Sequence, residues 1–184
     1  MSIELYIVLA ILVVAALWLA TTFNKLVGIR TRMEEGWSGI DVFLKKRYDL
    51  LPNLMDVVQQ YAAHEQETLE GVMRCRAQAM QAKGPQDQIA AEKGLAGALG
   101  RLMMVAENYP NLKADQTFLN LQRNLSEIEE QIAAARRAFS SAIYEYNNTV
   151  KTIPANIIAG IFGFQERAFF EIGAAERQTV PVSL

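Results

Sequence analysis

The sequence predicts an all-α protein, in which an N-terminal transmembrane helix precedes an antiparallel up-and-down four-helix bundle with long, coiled-coil-like helices. Three observations carry this prediction. The chain of 184 residues holds only five prolines and eleven glycines. It contains no alternating polar and apolar runs bounded by turn residues, which strands would show. Apolar residues recur instead at steps of three and four, the spacing of one helix face.

Residues 5–23 are predicted to span a membrane. This 19-residue stretch has no charged side chain, and as a helix it would be about 28 Å long, close to the thickness of a bilayer's hydrocarbon core. A cleaved signal peptide is the alternative, but no Lys or Arg precedes the stretch and no A-x-A cleavage site follows it. Lys25, Arg30 and Arg32 come after it, so the positive-inside rule predicts a single-pass inner-membrane protein with a short N terminus outside and its bundle in the cytoplasm.

The first stripe of the bundle begins directly after the predicted span. Lys45, Lys46 and Arg47 fall between its apolar positions and are interpreted as a solvated helix face. Pro52 interrupts the segment, because proline lacks a backbone N–H and clashes with the preceding turn. The stripe consists of Leu26, Ile29, Met33, Trp37, Ile40, Leu44, Tyr48, Leu51, Met55, Val58 and Ala62.

Two arrangements are open at Pro52. If the proline only kinks its helix, one arm is far longer than the next helix, and much of its apolar stripe stays uncovered. If the chain reverses near Asp49, which can cap a new helix, four helices of closer length pack up and down. We favour the reversal. It gives an anchor at residues 1–23, a bundle at 24–153 with helices at about 24–49, 52–82, 86–109 and 114–152, and a tail at 154–184.

Polar and aromatic residues around this point form a candidate site. They would cap and pin a tight helix reversal, or they would recognise a partner at the far end of the bundle; we favour the first interpretation. The cluster consists of Trp37, Asp41, Arg47, Tyr48, Asp49, Pro52 and Asn53.

Three glycines thin the predicted third helix. Gly94, Gly97 and Gly100 each cost about 1 kcal/mol relative to alanine in a helix, so we expect them to allow close packing, within the chain or between chains. Their spacing is not that of a phosphate-binding loop, because no strand precedes them.

The C-terminal tail is unusually rich in large apolar residues. Such a segment caps the bundle or lies at a membrane surface. Because the last helix of an up-and-down bundle returns towards the start of the first, we expect this tail at the bilayer interface. The candidate interface residues are Ile157, Ile158, Ile161, Phe162, Phe164, Phe169 and Phe170.

Several runs of the sequence resemble the LemA family, and the resemblance covers nearly the whole chain. It implies the same layout, a membrane helix before an antiparallel four-helix bundle. It implies no catalytic residues, and it implies a link to the bacterial envelope, including relatives in magnetosome membranes. The runs are N-K-L-V (24–27), E-E-x-W (34–37), I-D-V-x-L-K-K-R-Y-D-L-L-P-N-L (40–54), Y-A-x-H-E (61–65), Y-P-x-L-K-A (109–114), Y-N-x-x-V (146–150), F-G-F (162–164) and V-P-V (180–182).

The sequence lacks the residue combinations that known catalytic and metal-binding motifs require. Cys75 is the single cysteine, which excludes an intrachain disulfide, and His64 is the single histidine, interpreted as a polar residue on a helix face. Thr68 stands where the H-E-x-x-H motif needs its second histidine. With 51 % apolar residues and a net charge of −2, the chain is typical of an ordered protein without general affinity for nucleic acid. We therefore expect no enzyme, no cofactor and no metal.

Three functions are compatible with these features. The first is a non-enzymatic, membrane-anchored scaffold or adaptor of the bacterial envelope that self-associates, with the lipid bilayer and a membrane protein as further partners. The second is a membrane-shaping or lipid-organising protein that uses its apolar tail. The third, a hydrolase or metal enzyme, is disfavoured by the missing residues. We favour the first.

Overall fold

A computed structural model describes residues 3–167, and all regular structure in that range is helical. This confirms the all-α prediction for the described part of the chain. The chain divides into two compact units, one formed by Ser38–Ala135 and the other by Met1–Trp37 with Arg136–Leu184. The helices are α1 (Ile3–Tyr61), α2 (Gln66–Gln81), α3 (Gly84–Ala106), α4 (Pro110–Ala114), α5 (Gln116–Lys151) and α6 (Ala155–Ile161).

The first part of α1 is apolar and has no protein cover. Every side chain of residues 3–20 is exposed, and a window of this helix reaches a mean hydropathy of 2.6. Within residues 3–167, α1 is the one helix long and apolar enough to cross a membrane. Packing against other helices begins at Leu26 and Ile29, which are fully buried.

The predicted reversal near Asp49 is wrong, because α1 stays helical through Pro52 and ends at Tyr61. A proline inside a helix cannot donate to the carbonyl four residues before it, which here belongs to Tyr48. Arg76 of α2 supplies the missing donor: its Nε lies 2.7 Å from the Tyr48 carbonyl oxygen. A side chain of the neighbouring helix thus replaces the backbone bond, and the helix continues.

The chain leaves α1 at residues 62–65 instead. His64, expected on a helix face, lies in this turn. α2 ends just before the Lys83-Gly84-Pro85 sequence, and Gly84 has a φ of +82°, in the left-handed region that glycine adopts without strain.

The expected close packing of the α3 glycines inside the chain is wrong. Gly94, Gly97 and Gly100 are exposed, and a Cβ added to any of them would meet no atom within 4 Å. The close approach occurs at Gly36 instead, where a Cβ would lie 3.4 Å from the Cα of Phe139 on α5.

Candidate functional sites

A buried ion-pair cluster lies within the Ser38–Ala135 unit. Arg47 is 2 % exposed and Glu92 of α3 is 5 % exposed, so the interpretation of Arg47 as a solvated residue is wrong. The Arg47 guanidinium donates to the carboxylates of Glu92 and of Glu129 on α5. Position 47 is three residues after buried Leu44 and four before buried Leu51, a spacing that turns its side chain inward.

Three donors satisfy the Glu92 carboxylate. Besides Arg47, the Tyr48 hydroxyl donates to it, and Gln88 Nε2 lies 3.1 Å from its Oε1. The same Gln88 nitrogen is 2.8 Å from the Tyr48 hydroxyl oxygen and 3.3 Å from the Ala79 carbonyl of α2. The cluster therefore joins α1, α2, α3 and α5. Such a network fixes the relative register of helices, because each group left without its partner would be a costly buried charge or dipole.

The seven residues predicted around Pro52 do not form one site. Only Arg47 and Tyr48 enter the buried cluster, whereas Asp41, Asp49 and Asn53 are exposed. Pro52 is half-buried. Trp37 belongs to the other unit, where its ring centroid lies 5.7 Å from that of Phe139.

Sequence reasoning missed the partners on α3, although a signal was present. Gln88 and Glu92 precede Leu95 at steps of four and three. They therefore occupy the apolar face of α3, where a polar residue needs a buried partner.

Two tyrosine–carboxylate hydrogen bonds join the end of α1 and the turn after it to the turns around α4. The Tyr61 hydroxyl donates to Asp115 Oδ2 over 3.0 Å, and the Tyr109 hydroxyl donates to Glu65 Oε1 over 3.0 Å. The runs Y-A-x-H-E and Y-P-x-L-K-A thus contact each other. Asp115 also caps α5, since its Oδ1 accepts the Phe118 N–H at 2.9 Å.

These contacts shift the pKa of three groups. The hydrogen bond to Asp115 raises the pKa of Tyr61, because the ionised tyrosine would lose it and face a negative carboxylate. The bond to Glu65 raises the pKa of Tyr109 in the same way. The Phe118 N–H, followed by the Tyr61 hydroxyl, lowers the pKa of Asp115 by stabilising its charged form.

An aromatic cluster forms where the apolar stretch of α1 ends. The ring centroid of Phe23 lies 4.9 Å from that of Phe162 and 5.8 Å from that of Phe164. Gly163, with φ +72°, makes the turn between those two rings. The Phe164 N–H donates to the Ala159 carbonyl of α6 at 2.9 Å, which ties the segment after α6 back to that helix.

The side chain of Asn147 on α5 forms two hydrogen bonds with the end of this segment. Its side-chain oxygen accepts the Arg167 N–H at 2.9 Å, and its Nδ2 donates to the Arg167 carbonyl at 2.8 Å. Asn147 is itself buried. One amide thus satisfies both backbone groups of Arg167 and fixes the backbone at this residue.

An apolar ridge stands out from the same unit. Its four members are large apolar side chains that the described protein leaves more than half exposed: Ile153 (82 %), Ile157 (59 %), Ile161 (69 %) and Phe162 (55 %). Ile157 and Ile161 are one helical turn apart and share a face of α6.

The residues predicted at the membrane interface divide between this ridge and the interior. Ile157, Ile161 and Phe162 belong to the ridge, whereas Ile158 is fully buried and Phe164 is half-buried. The remaining two predicted residues, Phe169 and Phe170, lie outside the described residues. Sequence reasoning missed Ile153.

No group of three or more His, Cys, Asp and Glu within residues 3–167 could hold a metal ion. The expected absence of an enzyme, a cofactor and a metal stays a prediction.

Comparison with known proteins gives one family and several distant relatives. The model of the LemA family matches residues 36–184. Magnetosome protein MamQ 2 of Paramagnetospirillum magneticum is 25 % identical over an alignment of 175 positions, which covers 81 % of this chain and 64 % of the relative. Magnetosome protein MamQ of Magnetospirillum gryphiswaldense is 24 % identical over an alignment of 194 positions, which covers 89 % of this chain and 71 % of the relative. Protein LemA of Metamycoplasma hominis is 25 % identical over 161 residues, with coverages of 87 % and 74 %. The chain thus spans less than two thirds of the first relative.

Proposed function

We propose that this chain, which belongs to the LemA family, is a non-enzymatic, membrane-anchored scaffold or adaptor of the bacterial envelope. The observation that carries the proposal is a contrast within one helix. Residues 5–20 of α1 are apolar and uncovered, whereas the same helix is packed from Leu26 onward. In water the uncovered part would drive aggregation, and a bilayer is the environment that covers it.

The proposed orientation places the helical units in the cytoplasm, on the inner face of the cytoplasmic membrane. Lys25, Arg30 and Arg32 follow the apolar stretch, and Glu4 is the one charged residue that precedes it. A basic flank of this kind is retained on the cytoplasmic side.

The scaffold itself is proposed to be an up-and-down four-helix bundle within the Ser38–Ala135 unit. Its helices would be the end of α1, α2, α3 and the start of α5. The bonds from Arg47 to Glu92 and Glu129 support this arrangement, because they join α1 to α3 and α5 away from the helix ends. The pair Tyr61–Asp115 supports it from their ends. A bundle pinned by buried ion pairs is a rigid surface for a protein partner.

Two measurements on the full-length protein test the proposal. Alkaline extraction of membranes should leave the protein in the pellet, and its release into the supernatant would refute the anchor. Light scattering in detergent, with the detergent mass subtracted, should then give a discrete multimer. A monomer would refute self-association and would direct the search to a different membrane protein as partner.

The apolar ridge favours a second candidate function, the shaping or organisation of lipid. Ile157, Ile161 and Phe162 leave apolar surface uncovered in the unit that contains the span, and wedging such side chains between head groups bends a bilayer. Reconstituted full-length protein should then narrow or tubulate liposomes, and an Ile157→Ser/Ile161→Ser variant should not. Liposomes left unchanged by the native protein would refute this function.

A further inference from the structure

A groove of about 530 Å³ opens in the unit formed by Met1–Trp37 and Arg136–Leu184, lined by α1, α5 and the segment after α6. One end is aromatic. Phe23, Phe162 and Phe164 line it with their packed rings. Phe23 is the last apolar residue before Lys25, the first charged residue after the apolar stretch of α1, so this end lies where the hydrocarbon of a bilayer gives way to head groups.

The other end of the groove is charged. Arg30, Glu34 and Arg167 line it, and Arg30 Nε lies 3.2 Å from a Glu34 carboxylate oxygen. Arg30 is seven residues beyond Phe23, or about 10 Å along the helix. An arginine at that height reaches the head-group layer, because its long apolar stem lets the guanidinium extend towards it.

Arg167 lines the groove, its backbone is held in place, and no carboxylate of the described residues pairs with it. Asn147 holds its backbone through two hydrogen bonds, and no carboxylate within residues 3–167 pairs with its guanidinium. Two arginines and one glutamate give this end a formal charge of about +1. A planar guanidinium donates two parallel hydrogen bonds to phosphate oxygens, so the chemistry of this end suits a phosphate monoanion.

We propose that this groove binds the phosphate head group of an anionic phospholipid. The phosphate lies against Arg30 and Arg167, and an acyl chain lies beside the aromatic end at Phe23. The aromatic end distinguishes a lipid from free phosphate, which would gain nothing from it. The proposal rests on the proposed membrane anchor. The anchor requires only a bilayer, whereas the groove would select anionic phospholipids within it.

Lipid titrations of the full-length protein in a neutral detergent, read by native mass spectrometry, test the site. Phosphatidylglycerol should bind with a defined stoichiometry, whereas phosphatidylcholine and inorganic phosphate should bind far more weakly. Arg167→Gln should weaken phosphatidylglycerol binding about tenfold to a hundredfold, the effect of one charge-assisted hydrogen bond. Glu34→Gln should strengthen it, because the groove then carries a formal charge of about +2.

Arg137→Gln is the matched control, since Arg137 is an exposed arginine of α5 outside the groove lining. The proposal is overturned if this control weakens binding as much as Arg167→Gln, because the attraction would then be diffuse. If phosphatidylcholine binds as tightly as phosphatidylglycerol, the site does not select an anionic head group. If inorganic phosphate binds as tightly, the site does not select a lipid. Either result overturns the proposal. If Arg167→Gln does not fold, Arg30→Gln carries the same test, with the same expected loss.

Failure of this site and failure of the membrane anchor give different results. A wild-type protein that resists alkaline extraction but shows no preference for phosphatidylglycerol refutes the groove and leaves the anchor standing. A wild-type protein released by alkaline extraction refutes the anchor and the groove together.

Discussion

Replacing Arg76 with methionine should destabilise the Ser38–Ala135 unit, and the size of the effect should depend on Pro52. Methionine keeps most of the length of the arginine side chain and has a similar helix propensity, but it cannot donate to the Tyr48 carbonyl. That oxygen would then have neither its helical donor nor the guanidinium now 2.7 Å away. Loss of a hydrogen bond from a charged donor costs about 1.5–3 kcal/mol.

The Pro52→Ala background separates this explanation from a general effect of losing an arginine. Alanine restores the backbone N–H at position 52, which can donate to the Tyr48 carbonyl within α1. In that background Arg76→Met should cost only about 0.5 kcal/mol. The two substitutions should therefore be coupled by about 1–2.5 kcal/mol in a double-mutant cycle.

Urea unfolding of the full-length protein in detergent, followed by circular dichroism at 222 nm, measures the four free energies of unfolding. Arg74→Met is the control, because Arg74 is an exposed arginine two residues away on the same helix and should change stability by less than about 0.5 kcal/mol. If Arg76→Met costs the same with proline and with alanine at position 52, the guanidinium is not replacing the missing helical bond.

Three further predictions concern the buried cluster and the turns. Arg47→Met leaves Glu92 as an unpaired buried charge, so urea unfolding should show a loss of about 3–5 kcal/mol, against less than about 0.5 kcal/mol for Lys45→Met on the exposed face; equal losses would contradict the buried pair. The lowered pKa of Asp115 means that its contribution is present above about pH 4 and is lost as the pH falls through the lower, folded-state value. An Asp115→Asn variant should therefore lose less stability between pH 5 and pH 2 than the native protein, and parallel acid profiles would contradict this. The raised pKa of Tyr109 means that its contribution is present below about pH 10 and is lost as the pH rises through the higher, folded-state value. Tyr109→Phe should accordingly flatten the alkaline arm of the stability profile, and an unchanged arm would rule out the bond to Glu65.

The helical class of the fold was predictable from sequence because the relevant signal is local. Steps of three and four between apolar residues specify one buried face per helix, and α1, α2, α3 and α5 all follow this rule. The error at Pro52 has a tertiary cause. Pro52 does remove a backbone hydrogen bond from its helix, but the compensating donor is Arg76, and no local pattern places that side chain against the Tyr48 carbonyl.

The buried cluster was predictable only in part. Arg47 lies on the inward face of α1 by its spacing from Leu44, yet its two lysine neighbours made a solvated run the simpler interpretation. Its partners Glu92 and Glu129 are 45 and 82 residues away, and a sequence pattern does not pair residues at such separations. The tail is a second example. Its many large apolar residues predicted an apolar surface, but the sequence alone did not distinguish buried Ile158 from exposed Ile157.

The bare outer face of α3 has a consequence for how the molecule opens. Gly94, Gly97 and Gly100 have helical backbone and open space around them, so alanine would fit at each and would add about 1 kcal/mol of helix stability per site. As it stands, α3 has a low intrinsic tendency to be helical and depends on its contacts with the rest of its unit. In native-state hydrogen exchange, the amide hydrogens of α3 should therefore exchange through partial openings of the unit, while those at the centre of α5 stay protected.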